Sequence, residues 1–86
     1  MNLTKNFTLD EMVRSTTAIQ KKIDNTPSNE VIANLKFLCE QVLQPIRDIT
    51  GRPLRVNSGY RSEALNNAVN GSKTSDHRFG YAADVT

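Results

Sequence analysis

The chain has 86 residues, which is enough for one small domain with a modest core. Its hydrophobic fraction of 37% excludes a disordered chain, and its net charge of +2 comes from basic residues that are scattered rather than clustered. A single cysteine excludes an intrachain disulfide and a cysteine-rich zinc cage, and no apolar run is long enough for a signal peptide or a membrane span.

The first third of the chain carries helix-start and turn signals. Thr8 is followed three positions later by Glu11, a capping-box pattern that predicts a short helix over 9–15. The segment "DNTPSN" at 24–29 has the composition of a turn, and Ser28 is placed to cap the helix that follows.

A long helix is predicted in the middle of the chain, because apolar residues recur there every three or four positions. Its expected buried stripe is Val31, Leu35, Leu38, Val42, Ile46 and Ile49. Cys39 lies among these residues, which favours a packed thiol over a reactive one. Pro45 cannot donate a backbone N–H, so a kink or a fresh start is expected near Gln44, and Gly51 is expected to end the helix.

The C-terminal third predicts two strands around one helix. The segment "LRVN" at 54–57 alternates apolar and polar residues, "SEALNNAV" at 62–69 is typical of a capped helix, and 81–86 is a second candidate strand. The expected fold class is α+β, a single domain over 1–86 with helices packed on one face of a small antiparallel sheet. Two strands make a poor sheet, so we expect it to be incomplete at the C-terminus.

His77 is the only histidine, and Asp84 follows it seven positions later. An imidazole nitrogen and a carboxylate oxygen both ligate zinc. Gly80 lies between them and would let the backbone bend, so that the two side chains could converge on one cation. The spacing alone does not decide whether His77 binds a metal or is a hydrogen-bonded loop histidine.

Two segments resemble a known family: "VNSGYRSEALNNAV" at 56–69 and "SDHRFGYAAD" at 75–84. They are similar to the zinc peptidases that include D-alanyl-D-alanine carboxypeptidases and the L-alanyl-D-glutamate endolysins of phages. The second segment has that family's pattern S-x-H-x-x-G-x-A-x-D at every fixed position, which are Ser75, His77, Gly80, Ala82 and Asp84.

The resemblance implies a fold, a metal and site residues. The fold would be Hedgehog/DD-peptidase-like, and His77 and Asp84 would be two of three zinc ligands. Arg61 would act in catalysis and substrate binding by holding a substrate carboxylate or the developing oxyanion, for which a guanidinium fork is suited. Ser75 would hydrogen-bond the site or the substrate, or would be an ordinary loop hydroxyl.

The chain also departs from the family pattern. The family's third ligand, a histidine, and its carboxylate general base would follow Asp84, where only Val85 and Thr86 stand. We therefore expect zinc to be weakly held or absent, and little or no hydrolysis by this chain. Either it is the N-terminal part of a longer catalytic domain, which we favour, or it is an incomplete homologue. A neighbouring chain could complete the sheet through its open edge.

By resemblance, the expected activity is zinc-dependent hydrolysis of a peptidoglycan peptide bond, as a carboxypeptidase or an endopeptidase. The alternative is a non-catalytic cell-wall-binding module that uses Arg61 without metal. A nucleic-acid binder is disfavoured, since five aromatic residues and no aligned basic stripe give it little support, and no membrane partner is expected. The compartment stays open: a bacterial or prophage protein held in the cytoplasm until released or exported by another route fits the sequence.

Overall fold

The computed structural model describes all 86 residues and has a helix-rich architecture with one two-stranded antiparallel sheet, in agreement with the expected α+β class. In chain order the elements are α1 (Leu9–Val13), α2 (Thr16–Lys21), α3 (Asn29–Leu38), a π-helical turn (Cys39–Leu43), α4 (Gln44–Thr50), β1 (Val56–Ser58), α5 (Glu63–Ala68), a 3-10 turn (Asp76–Phe79) and β2 (Asp84–Val85). None of these helices has the length and the apolar character that crossing a lipid bilayer requires.

The core lies between the helices and one face of the sheet. Its buried side chains are Leu3, Phe7, Met12, Leu35, Cys39 and Leu43. From the sheet, Val56 and Val85 pack against this cluster, while their neighbours Asn57 and Asp84 are exposed. The helices therefore cover one face, as the alternating pattern predicts, and the opposite face is open to solvent.

The capping box predicted for the first helix is present. Thr8 Oγ1 accepts the Glu11 N–H, and Glu11 Oε1 accepts the Thr8 N–H at 3.0 Å. The helix ends at Val13, earlier than expected, because the Ser15 hydroxyl caps a second helix, α2, by accepting the Ala18 N–H. Helix α2 was not among the predicted elements.

The predicted stripe of the long helix is wrong beyond its first half. Leu35 is fully buried, but the next buried residues are Cys39 and Leu43, whereas Val42 and Ile49 are 44% and 85% exposed. The cause is the π-helical turn, in which each hydrogen bond spans one residue more than in an α-helix. The extra residue rotates the later side chains away from the core.

The break near Gln44 and the stop at Gly51 are confirmed. The Gln44 N–H donates to Cys39 O, five residues back, and α4 then begins with Pro45 in its first turn, where a missing N–H costs least. Gly51 ends α4 in the left-handed conformation, with φ +64°.

Cys39 is buried as expected, and burial is also the main reason that its pKa rises from 9.0 to about 11, with smaller contributions from the negative charges of Glu11 and Glu40. A shift of about two units predicts alkylation by iodoacetamide at pH 8 that is about 100-fold slower than in the urea-unfolded chain. The folded state holds this proton more tightly, so the thiol's contribution to stability is complete below pH 9 and is lost as the pH rises through 11. Equal alkylation rates in the folded and unfolded chains would contradict this.

The sheet is short and irregular. Val56 pairs with Val85 and Ser58 with Asp84, so two steps along β1 match one step along β2, and Asn57 forms a bulge. Arg55 and Thr86 extend the pairing by exchanging both backbone hydrogen bonds at 2.9 Å. Both strands are shorter than the predicted 54–57 and 81–86, and each has one edge without a strand partner.

Candidate functional site

His77 lies in the 3-10 turn and is held from two sides. Its backbone N–H donates to the Ser75 hydroxyl at 3.3 Å, and its ring Nδ1 lies 2.7 Å from the carbonyl oxygen of Gly59. A carbonyl can only accept, so the neutral ring carries its proton on Nδ1. This leaves the lone pair of Nε2 free, which is the arrangement found in metal-ligating histidines.

Asp84 stands at the start of β2 on the exposed face of the sheet. Its Oδ2 lies 3.6 Å from His77 Nε2, and the Asp84 side chain is 68% exposed while that of His77 is 12% exposed. Two donors of a tetrahedral zinc, each about 2.0–2.1 Å from the ion, are separated by about 3.3 Å. The structure thus brings the two sequence-predicted ligands together at a separation that fits one shared ion.

Gly80 makes this convergence possible. It adopts φ +80°, and its N–H closes the 3-10 turn by donating to Asp76 O. The chain reverses there and returns toward β2, as the sequence analysis expected of this glycine. No group of three or more His, Cys, Asp or Glu side chains comes together anywhere in the chain, so His77 and Asp84 are a pair of donors.

Arg61 lies beside this pair in the turn that follows β1. Its backbone N–H donates to His77 O at 3.0 Å, and its Nη2 donates to Ser75 Oγ at 3.3 Å. Its Nε is buried without a hydrogen-bond partner, and no carboxylate lies within ion-pair distance of its guanidinium. The structure therefore brings all four predicted site residues together, with the Nε of the Arg61 guanidinium enclosed and unpaired.

Asn25 is a residue that the sequence analysis placed in a turn and gave no role at the site. Its Nδ2 donates to Val13 O at 2.8 Å and to Tyr60 O at 3.0 Å, and its Oδ1 accepts the Ser62 N–H at 2.7 Å. One amide thus joins the end of α1 to both neighbours of Arg61. Nothing in the spacing of the sequence signals these contacts, because they span 12 to 37 residues.

Replacing Asn25 with alanine is expected to lower the free energy of unfolding by about 2 kcal/mol, because two carbonyls and one N–H lose their partners in a half-buried position. Urea denaturation measures this. Asn67→Ala, on the exposed side of α5, is the matched control and should change stability by less than about 0.5 kcal/mol. Equal effects of the two substitutions would contradict the bridging role.

Comparisons with known proteins cover most of the chain. The family model described as Peptidase M15 matches residues 5–86. A segment of 44 residues is 43% identical to the zinc D-Ala-D-Ala carboxypeptidase of Streptomyces albus G. This match covers 50% of the present chain and only 17% of the length of that carboxypeptidase. No solved structure matches the chain.

Proposed function

Because the chain belongs to the peptidase M15 family, we propose that it is a zinc-binding peptidase-type domain that acts on peptide bonds of peptidoglycan, with a Hedgehog/DD-peptidase-like fold. The observation that carries the proposal is the 3.6 Å approach of His77 Nε2 to Asp84 Oδ2, with Nδ1 of the same ring engaged by Gly59 O. The name of the bacterial relative, a D-Ala-D-Ala carboxypeptidase, supports a peptide that contains D-alanine as the substrate.

In this proposal His77 and Asp84 hold the zinc ion. When bound, zinc polarises a carbonyl and makes a water molecule more acidic. Arg61 contributes independently of the metal: no carboxylate of the chain pairs with its guanidinium, which would donate to a substrate carboxylate or to the oxygen on which negative charge develops. Ser75 orients the guanidinium by accepting from Nη2, and its own O–H remains able to donate to the substrate.

The donor pair also limits what the 86 residues can do. A catalytic zinc takes three protein ligands, and His77 is the only histidine of the chain. We therefore propose that zinc is held weakly here and that hydrolysis by the chain alone is slow or absent, since no carboxylate other than Asp84 stands within ion-pair distance of His77 to take a proton.

Zinc binding to purified chain variants tests this proposal. His77→Ala and Asp84→Asn should each weaken zinc binding by about tenfold or more, measured by competition with a chromogenic chelator. Asp76→Asn removes a neighbouring carboxylate outside the pair and should leave the affinity unchanged. Unchanged affinity in both ligand variants would refute the site. Rapid hydrolysis of wall peptides by the chain with zinc would refute the proposed low activity.

A non-catalytic cell-wall-binding module is the second candidate, and the Arg61 guanidinium favours it because this cation has no ion-pair partner in the chain and needs no metal to bind an anionic wall peptide. Pull-down of the chain by purified peptidoglycan distinguishes the two. Binding that survives a chelator and is lost in Arg61→Gln supports the module, whereas binding that requires zinc supports the metal site.

A further inference from the structure

A polar cavity of about 240 Å³ lies between the end of α1, the start of α2 and the strand β1. The residues that line it with polar groups are Glu11, Arg14, Ser15, Thr16, Arg55 and Asn57. None of the four residues proposed for the metal and Arg61 site is among them. The cavity is thus a separate feature of the molecule, and neither the family match nor the sequence analysis assigns it a role.

The two arginines of this cavity have no partners within the protein. Neither guanidinium of Arg14 and Arg55 makes a side-chain hydrogen bond or an ion pair. The carboxylate of Glu11 also lines the cavity, and its Oε1 accepts from both the backbone N–H and the hydroxyl of Thr8. These neutral donors do not cancel its negative charge, but the two guanidinium groups outnumber it. Two unpaired cations that share a recess with hydroxyl and amide groups favour an anion, and a guanidinium fork matches the two oxygens of a carboxylate.

Two polar residues that line the cavity, Arg55 and Asn57, are exposed, as is the Asp84 side chain of the proposed metal site. Arg55 and Asn57 alternate along β1 with Val56, which packs against the core, so the two polar side chains belong to the solvent face. Thr86 lies between the cavity and the proposed metal site. It pairs with Arg55, and its hydroxyl accepts from Asn57 Nδ2 at 3.3 Å. Asp84 precedes it by two residues. Two residues of strand span about 7 Å.

We propose that the Arg14–Arg55 cavity binds a carboxylate of a peptide that lies across this solvent face. That carboxylate would lie about two peptide residues from the peptide bond that is cleaved at His77 and Asp84. The substrate class is therefore an acidic peptide, whose side-chain or branch carboxylate is recognised apart from any group held by Arg61. The position of the carboxylate relative to the cleaved bond rests on the proposed function, whereas the affinity of the cavity for a carboxylate does not.

Two synthetic peptides that differ in one charge test the cavity: acetyl-Ala-Glu-Ala-Ala-amide and acetyl-Ala-Gln-Ala-Ala-amide. Binding to the metal-free chain is followed by chemical-shift changes in two-dimensional ¹⁵N NMR. The glutamate peptide should bind about tenfold more tightly and should shift the amides of Arg55 and Asn57. Arg14→Gln and Arg55→Gln should each reduce this preference at least threefold. Arg52→Gln removes an exposed arginine outside the cavity and should leave the preference intact.

Three results would overturn the inference. The first is equal binding of the two peptides, and the second is a loss in Arg52→Gln as large as in the cavity variants, which would indicate general attraction to a basic protein. The third is inorganic phosphate binding more tightly than the glutamate peptide with the same dependence on both arginines, which would assign the cavity to a phosphate group. The measurement uses no metal, so failure of zinc binding at His77 would leave its outcome unchanged.

Discussion

Replacing Gly59 with alanine is expected to lower the free energy of unfolding by about 3 kcal/mol or more. Gly59 is buried where the backbone after β1 crosses α1, and a Cβ at this position would collide with the carbonyl group of Met12. That carbonyl also accepts the Tyr60 N–H at 2.7 Å, so relieving the collision breaks a hydrogen bond between the two segments. Overpacking against backbone and loss of a buried hydrogen bond each cost about 1–3 kcal/mol.

The same substitution reaches the candidate metal site, because Gly59 O is the acceptor for His77 Nδ1. His77 is the only histidine, so its ring nitrogens are assigned in a ¹⁵N NMR spectrum without ambiguity. In Gly59→Ala we expect the neutral His77 ring to populate both tautomers instead of one. The ¹⁵N chemical shifts of its two ring nitrogens should then move toward each other. Unchanged stability together with unchanged ring shifts would contradict the close approach of β1 and α1.

Replacing Gly80 with alanine is expected to lower the free energy of unfolding by about 2–5 kcal/mol. Gly80 has φ +80°, a conformation that costs a residue with a Cβ about 1–2 kcal/mol. A Cβ would also stand 3.0 Å from Val31 O and 3.2 Å from Leu35 Cγ, so the turn that carries His77 would have to move away from α3. This crowding adds about 1–3 kcal/mol.

Gly51→Ala is the matched control for Gly80→Ala. Gly51 also has a positive φ, +64°, but a Cβ there would meet nothing within 4 Å. Gly51→Ala should therefore lower the free energy of unfolding only by the backbone cost of a positive φ, about 1–2 kcal/mol. Urea denaturation of the Gly80 and Gly51 variants separates the backbone cost from the crowding cost. An equal loss of unfolding free energy in the two variants would show that the turn does not pack tightly on α3.

The local features of this protein follow from its sequence alone. The capping box of Thr8 and Glu11, the end of α4 at Gly51 and the cap of α5 at Ser62 were predictable. Each is a contact or a backbone preference that acts within about four residues, so its signal is contained in a short window. The proximity of His77 and Asp84 spans seven residues; the turn at Gly80 made it possible, but their spacing alone did not decide it.

The tertiary structure decided what depends on distant segments. The π-helical turn placed Leu43 rather than Val42 in the core, and its extra residue is not visible in the spacing of the apolar residues. The orientation of the His77 ring depends on Gly59 O, 18 residues away, and the turn around Arg61 depends on Asn25. Backbone carbonyls and amides exist at every position, so the sequence cannot indicate which of them a side chain will meet until the chain has folded.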